Sequence, residues 1–282
     1  MPIDRKIEEE SEEIDKIISK WGFSPNYGNK SEKRTTVERW FHNFQPSEFE
    51  DALLILKRIK YYDSDTVATY ICDLSKELNK MFNGEFSNVL FYPLGDSPAS
   101  SGGNFLYAFS KELGVPQSSF PYSTFKDVDL RKISSIVFFD DMIGSGNQAI
   151  KFAKKHLQEI GVNTYYVALL AFQDGYDKIK RENCFNDVIV HDFLSEEYKC
   201  FSSYSQIFPD RDLRERIKEM CEKYGQKLYS EHPLGYDDSQ ALIVFSHSTP
   251  NNTLPIIWAS PENEKTLGVV WKPLWKRIKK KN

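Results

Sequence analysis

The chain has 282 residues, of which 40% are hydrophobic and 28% charged, with a net charge of −4; this suits one large globular domain or a domain with an extension, and two full domains would be tight. The weak negative charge gives no overall reason for nucleic-acid binding, and no window approaches the ~18 uncharged apolar residues of a membrane span. Acids near the N-terminus stand where a signal peptide needs an apolar core, and the four cysteines lack paired C-x-x-C spacing, so the expected setting is cytoplasmic, with reduced thiols and no membrane partner.

Apolar residues at Ile3, Ile7, Ile14, Ile17, Ile18 and Trp21 recur every three or four positions, which predicts one amphipathic helix whose seam needs a neighbour or a partner protein. Gly22 to Lys30 reads as a loop, and Thr35 to Phe44 as a short helix carrying Val37, Trp40 and Phe41. Ser47 and Glu50 have capping-box spacing and are expected to open a helix that runs to about Lys60. Another helix follows, from Asp63 or Ser64 to about Met81. Residues 1–85 are thus expected to form an α-helical extension, and 86–282 an α/β domain.

Asn88 to Tyr92 is the first convincing strand, followed by a loop rich in small residues and a helix from Asn104 to Leu113. In that loop Gly95, Asp96 and Ser97 offer backbone amides to an anion, and Ser101 and Gly102 belong to a second nest at the start of the helix. Val115 to Lys132 has no clean period; Lys126 and Arg131 are its candidate cations for an anionic ligand.

Ile136 to Phe139 is an uncharged β-branched and aromatic run, suited to a strand buried on both faces. It ends in Asp140 and Asp141, passes Gly144, Ser145 and Gly146, and enters a helical stretch from Asn147 to Leu157. The glycines permit a sharp turn, and the helix directs its positive end at whatever the loop holds. At a strand end the carboxylates are expected to be only partly buried. Because successive strand side chains point to opposite faces, both can meet one ligand only if the strand is already bending.

This stretch resembles the PRPP motif of the type I phosphoribosyltransferases. The resemblance implies that Asp140 and Asp141 hold the ribose hydroxyls and act in catalysis, with Mg²⁺ approached only indirectly, through hydroxyls or water. It assigns Gly144, Ser145, Gly146, Asn147 and Gln148 to the 5′-phosphate, and the Gly95 loop to pyrophosphate. Two positions depart from the pattern: Gln148 stands where a hydroxyl residue is usual, and Gly144 where purine-salvage members often carry an acid. Gly144 to Ala149 also fits the dinucleotide pattern G-x-G-x-x-A, with Asp174 as its ribose acid, and a β-α junction without a ligand fits as well.

Thr164 to Phe172, Asp177 to Glu182 and Asp187 to Phe193 continue as strand, helix and strand, which predicts a parallel sheet. Asp210 to Tyr224 is amphipathic, and Ala241 to Phe245 is a strand. His232 to Gln240 and Pro250 to Trp258 carry Pro-Leu-Gly and Pro-Asn-Asn-Thr-Leu-Pro runs, and six basic residues lie between Lys272 and Lys281. These runs resemble the C-terminal part of the phosphoribosyltransferase-like effectors of bacterial conflict systems, a likeness that spans most of residues 35–275. It implies an α/β fold with a parallel-sheet phosphoribosyltransferase-like core, a helical N-terminal extension and a C-terminal hood at about 225–275. It also implies an enzyme that transfers or cleaves at ribose C1, with Mg²⁺, in anti-phage defence. A reverse transcriptase or DNA-binding protein, as accompanies some retron effectors, and nucleic acid on the basic tail are the implied partners. A non-catalytic nucleotide sensor or an interaction subunit is the alternative.

Overall fold

The computed structural model describes residues 1–22, 30–95, 103–115, 119–120, 129–260 and 270–275. The chain divides into two compact units, one of residues 1–64 and 197–282 and the other of residues 65–196. These units cut across the division at residue 85 expected from the sequence.

In the first unit the N-terminal seam forms α1 (Ile3–Glu9) and α2 (Ser11–Ser19), joined at Glu10, where the single predicted helix breaks. α3 (Lys30–Phe41) and α4 (Phe49–Arg58) follow. The helix entry before α4 differs from the expected Ser47–Glu50 box. A 3-10 turn at Pro46–Glu48 carries a box of Gln45 and Glu48, with the Gln45 N–H donating to Glu48 Oε2 at 2.9 Å. Pro46, with its φ fixed near the helical value, places the box two residues earlier. β1 (Lys60–Tyr62), unforeseen in the sequence, pairs in parallel with β6 (Ile243–Phe245).

The apolar seam of α1 and α2 finds its neighbour within the chain. Ile14, Ile18 and Trp21 share a core with residues of α3 and α4, of α9 (Arg211–Leu228) and of α10 (Pro255–Trp258), and with Trp271, Leu274 and Trp275. Trp21 meets Trp275 with ring centroids 4.4 Å apart, and Trp40 Nε1 donates to the Ile256 carbonyl at 2.8 Å. Each fully buried large side chain stabilises by about 1.5–3 kcal/mol, so this aromatic cluster anchors the two chain ends to each other. The basic tail starts from that anchor: Asn43 bonds both the N–H and the carbonyl of Lys272. Lys276 and the basic residues after it lie outside the described residues.

The second unit is a four-stranded parallel sheet of order β2-β3-β4-β5: β2 (Val89–Pro93), β3 (Ser135–Ile143), β4 (Asn163–Phe172) and β5 (Asp187–Leu194). Its crossovers include α6 (Gly103–Leu113), α7 (Asn147–His156) and α8 (Gln173–Glu182). Ile136, Phe138 and Tyr166 form one sheet face, which packs on Ile150 and Phe152 of α7 and Ile179 of α8. On the opposite face Phe139 meets Phe109 of α6, and Phe82, just beyond α5 (Ser64–Met81), meets Tyr165. With helices on both faces the middle of β3 is buried on both sides, which is why Ile136 to Phe139 carries no polar alternation. The architecture is α/β with a parallel sheet, as the sequence implied.

Candidate functional site at the end of the central strand

β3 and β4 occupy the middle of the sheet, and ligands of open parallel sheets bind beyond the carboxyl ends of the strands. Asp140 and Asp141 sit toward that end of β3. The strand runs two residues past them, to Ile143, and they are buried, with 7% and 4% of their surface exposed. Both facts correct the expectation of a partly buried pair at the strand terminus. The strand runs on because its pairing runs on, Asp140 with Ala168 and Met142 with Leu170, and helices cover both faces of the sheet.

Alternation along β3 sends Asp140 to the Phe138 and Tyr166 face and Asp141 to the Phe139 face. The Asp141 N–H donates to Asp140 Oδ1 at 2.9 Å, and the Tyr166 hydroxyl donates to Oδ2 at 3.4 Å. Burial pushes the Tyr166 phenol well above its ordinary pKa, and the Asp140 and Asp141 charges push it further. Tyr166 is therefore a neutral donor across the working pH range.

The chain leaves β3 through Gly144, Ser145 and Gly146, with Gly146 in the left-handed region at φ 77° as the N-cap of α7. The loop is pressed against α8. A Cβ on Gly175 would lie 1.9 Å from the Gly144 carbonyl oxygen, and one on Gly146 would lie 2.6 Å from the Gly175 carbonyl oxygen. Only glycine at both places allows this backbone approach. One turn along α8, Lys178 donates to Asn147 Oδ1 at 2.6 Å, and the Asn147 N–H donates to Ser145 Oγ at 3.3 Å. Gln148 is exposed in the first turn of α7. Gly175, Lys178 and Tyr166 were missed in the sequence; the helix was expected only from Asp177, whereas α8 begins at Gln173 and takes Gly175 into its first turn.

Gly95 follows β2 at φ 126°, and the Leu94 N–H donates to the Phe139 carbonyl at 2.7 Å, so the β2 and β3 ends lie side by side. Asp96, Ser97, Ser101, Gly102 and Lys126 lie outside the described residues. Arg131 is not brought to the site. It precedes β3 and pairs with Asp129 at 2.7 Å, while Ser135 to Asp140 alone spans about 17 Å of strand. Asp174 follows the end of β4 by two residues and is exposed in the first turn of α8. Among the described residues no group of three or more His, Cys, Asp or Glu is arranged to hold a metal, and no helix is long and apolar enough to cross a membrane.

No curated protein matches the chain. Among solved structures it is similar to a xanthine-guanine-hypoxanthine phosphoribosyltransferase from Helicobacter pylori, at 12% identity and TM-score 0.34 over 56% of this chain and 96% of that one. It is similar also to an orotate phosphoribosyltransferase from Aeropyrum pernix, at 14% identity and TM-score 0.33 over 46% of this chain and 72% of that one. The AQ2163 protein from Aquifex aeolicus matches at 12% identity and TM-score 0.35, over 68% and 96% of the respective chains. A parallel sheet whose central strand carries two carboxylates into a glycine loop and a helix start accords with the family match, which spans residues 37–277: the chain belongs to the PRTase-CE family and has a phosphoribosyltransferase-like fold.

Proposed function

We propose that the chain binds 5-phosphoribosyl 1-pyrophosphate or a related nucleotide at the end of β3 and transfers or cleaves at ribose C1. The observation that carries this reading is the continuity of Asp140 and Asp141 with the Gly144–Gly146 loop and the start of α7 on one central strand. In the proposed reaction the C1–oxygen bond to pyrophosphate breaks, its electron pair leaves with pyrophosphate, and an acceptor or water bonds C1. Positive charge grows on the ribose as that bond breaks. A carboxylate of the pair fixed beside it stabilises the charge without reorganising, which is where preorganised electrostatics contributes most. The loop and α7 hold the 5′-phosphate through backbone N–H groups and the helix dipole. Gly95, Asp96, Ser97, Ser101 and Gly102 are assigned to pyrophosphate.

The described residues do not fit a directly held Mg²⁺, because the two carboxylates leave the strand on opposite faces and no third ligand joins them. Mg²⁺ belongs in this reading with the pyrophosphate and not with a ligand set of the chain. A role in anti-phage defence, with a reverse transcriptase, a DNA-binding protein or nucleic acid as partner and residues 225–275 as a hood, completes the proposal.

Near-complete burial of the acidic pair favours one second reading, a nucleotide sensor that keeps the pocket without turnover. The deciding experiment is a melting-temperature titration with the pyrophosphate and Mg²⁺, followed by a product assay with bases, nucleotides and nucleic acid. A ligand that binds only the folded state stabilises by about 2.7 kcal/mol at a hundredfold excess over Kd. Asp140→Asn with Asp141→Asn is expected to keep the fold and lose both the shift and any product. A full shift and full turnover in that variant would refute the assignment of the pair.

A further inference from the structure

Tyr166 is 1% exposed on β4, one alternation before Ala168, which is the cross-strand neighbour of Asp140. Phe138 is its register partner, and Phe185 stacks on its ring at 5.3 Å, so the ring has a fixed seat. A phenylalanine would fill that seat without a polar atom. Burying a hydroxyl in an apolar layer costs free energy unless the oxygen is engaged, so its presence calls for a use. Ala168 is small enough for the phenol to reach past it, and the hydroxyl meets Asp140 Oδ2 while the Asp141 N–H meets Oδ1. The 3.4 Å separation is long for a hydroxyl bond, so its value comes from the charge of the acceptor more than from geometry.

We propose that Tyr166 is a positioning residue for Asp140, holding that carboxylate ionised and oriented toward the hydroxyls of a phosphoribosyl ligand. The inference rests on the function proposed above and adds to it a residue that bears on the state of one carboxylate. Its sign is definite. A donor bonded to the ionised form lowers the carboxyl pKa, so removing the donor raises that pKa and moves the acid limb of ligand binding to higher pH.

The test uses the full chain with 5-phosphoribosyl 1-pyrophosphate and Mg²⁺, titrated from pH 5 to pH 8. Tyr166→Phe removes one oxygen and is expected to weaken binding roughly tenfold at pH 7 and to shift the acid limb upward, whereas in an Asp140→Asn background it is expected to add nothing. If the wild-type chain does not bind, the proposed function falls and this inference with it. If the wild-type chain binds and Tyr166→Phe binds equally well with the same acid limb, this inference alone falls. An equal further loss in the Asp140→Asn background assigns Tyr166 to packing and also overturns it. A fourth arm needs no substitution at Tyr166: in chain labelled at the tyrosine Cζ carbon, one resonance is expected to respond to an acid-range titration and to fall silent in Asp140→Asn. Absence of such a resonance overturns the proposal.

Discussion

Two of the tight backbone junctions that rest on glycine, one from each unit, use it differently. In the second unit Gly144, Gly146 and Gly175 bring a loop and a helix together beside two buried carboxylates. In the first unit Gly235, at φ 96°, lies so close to the turn at Asn252 that an added Cβ would sit 2.2 Å from the Asn252 carbonyl oxygen, and Asp237, Asp238 and Gln240 are all left-handed. Around Gly235 the polar groups satisfy their own surroundings. Asp237 N–H donates to His232 Nδ1, Asn252 Nδ2 to Ser239 Oγ, and the Phe201 N–H to Gln240 Oε1. The Gly146 junction instead opens a helix with an N-cap that has no side chain. Close glycine packing is thus common to both junctions, while a helix start with a glycine N-cap beside carboxylates belongs to one.

The sharpest way to break this comparison is to add one methyl group to each junction. Gly175→Ala is expected to cost about 2–4 kcal/mol of stability, since backbone must move to admit the Cβ, and to abolish the ligand-induced melting shift in whatever fraction remains folded. Gly235→Ala adds left-handed strain to a similar clash and is expected to cost as much, yet to leave the ligand shift in place. Melting curves with and without the pyrophosphate decide it. Equal loss of the ligand shift in both variants would erase the distinction drawn between the two junctions.

A smaller effect probes the internal wiring of the first unit. Asn252 is buried, and Asn252→Ala removes its bond to Ser239, so a loss of about 1–2 kcal/mol in urea unfolding is expected, with ligand binding unchanged. A changed ligand affinity in this variant would mean that the 235–253 segment serves the ligand as well as its own fold.

The smallest expected effect concerns pH. Burial raises the pKa of Glu48, but hydrogen bonds from Lys223, Tyr224 and the Gln45 N–H outweigh it and hold the carboxyl below its ordinary value. A depressed folded pKa stabilises above the unfolded value near 4.5, and that stability is lost as pH falls through the folded pKa. Glu48→Gln is therefore expected to lower stability modestly at pH 7 and to have less effect near pH 3. An effect independent of pH would show that packing and not charge holds Gln45, Glu48 and Tyr224 together.

Much of the fold was legible because it is local. The uncharged run at Ile136 to Phe139, the turn at Gly144 to Gly146 and the period of Asn147 to Leu157 state strand, loop and helix through side-chain pattern alone, and the elements lie where expected. β1 was missed because three residues in a helical neighbourhood show no period, and only pairing with β6, more than 180 residues away, makes Lys60–Tyr62 a strand. The Ser47–Glu50 box failed because Pro46 and the bonds from Lys223 and Tyr224 favour Glu48.

For the candidate site, the sequence by itself determined the order of chemistry along one strand: two carboxylates, two glycines and a helix start. Tertiary structure decided how deeply that chemistry is buried and what touches it. Tyr166 reaches Asp140 only because parallel register sets β4 beside β3, and Gly175 meets Gly144 only because α8 folds back over the loop. Register and helix packing arise from the sum of many apolar contacts over the sheet, which no single stretch of sequence carries.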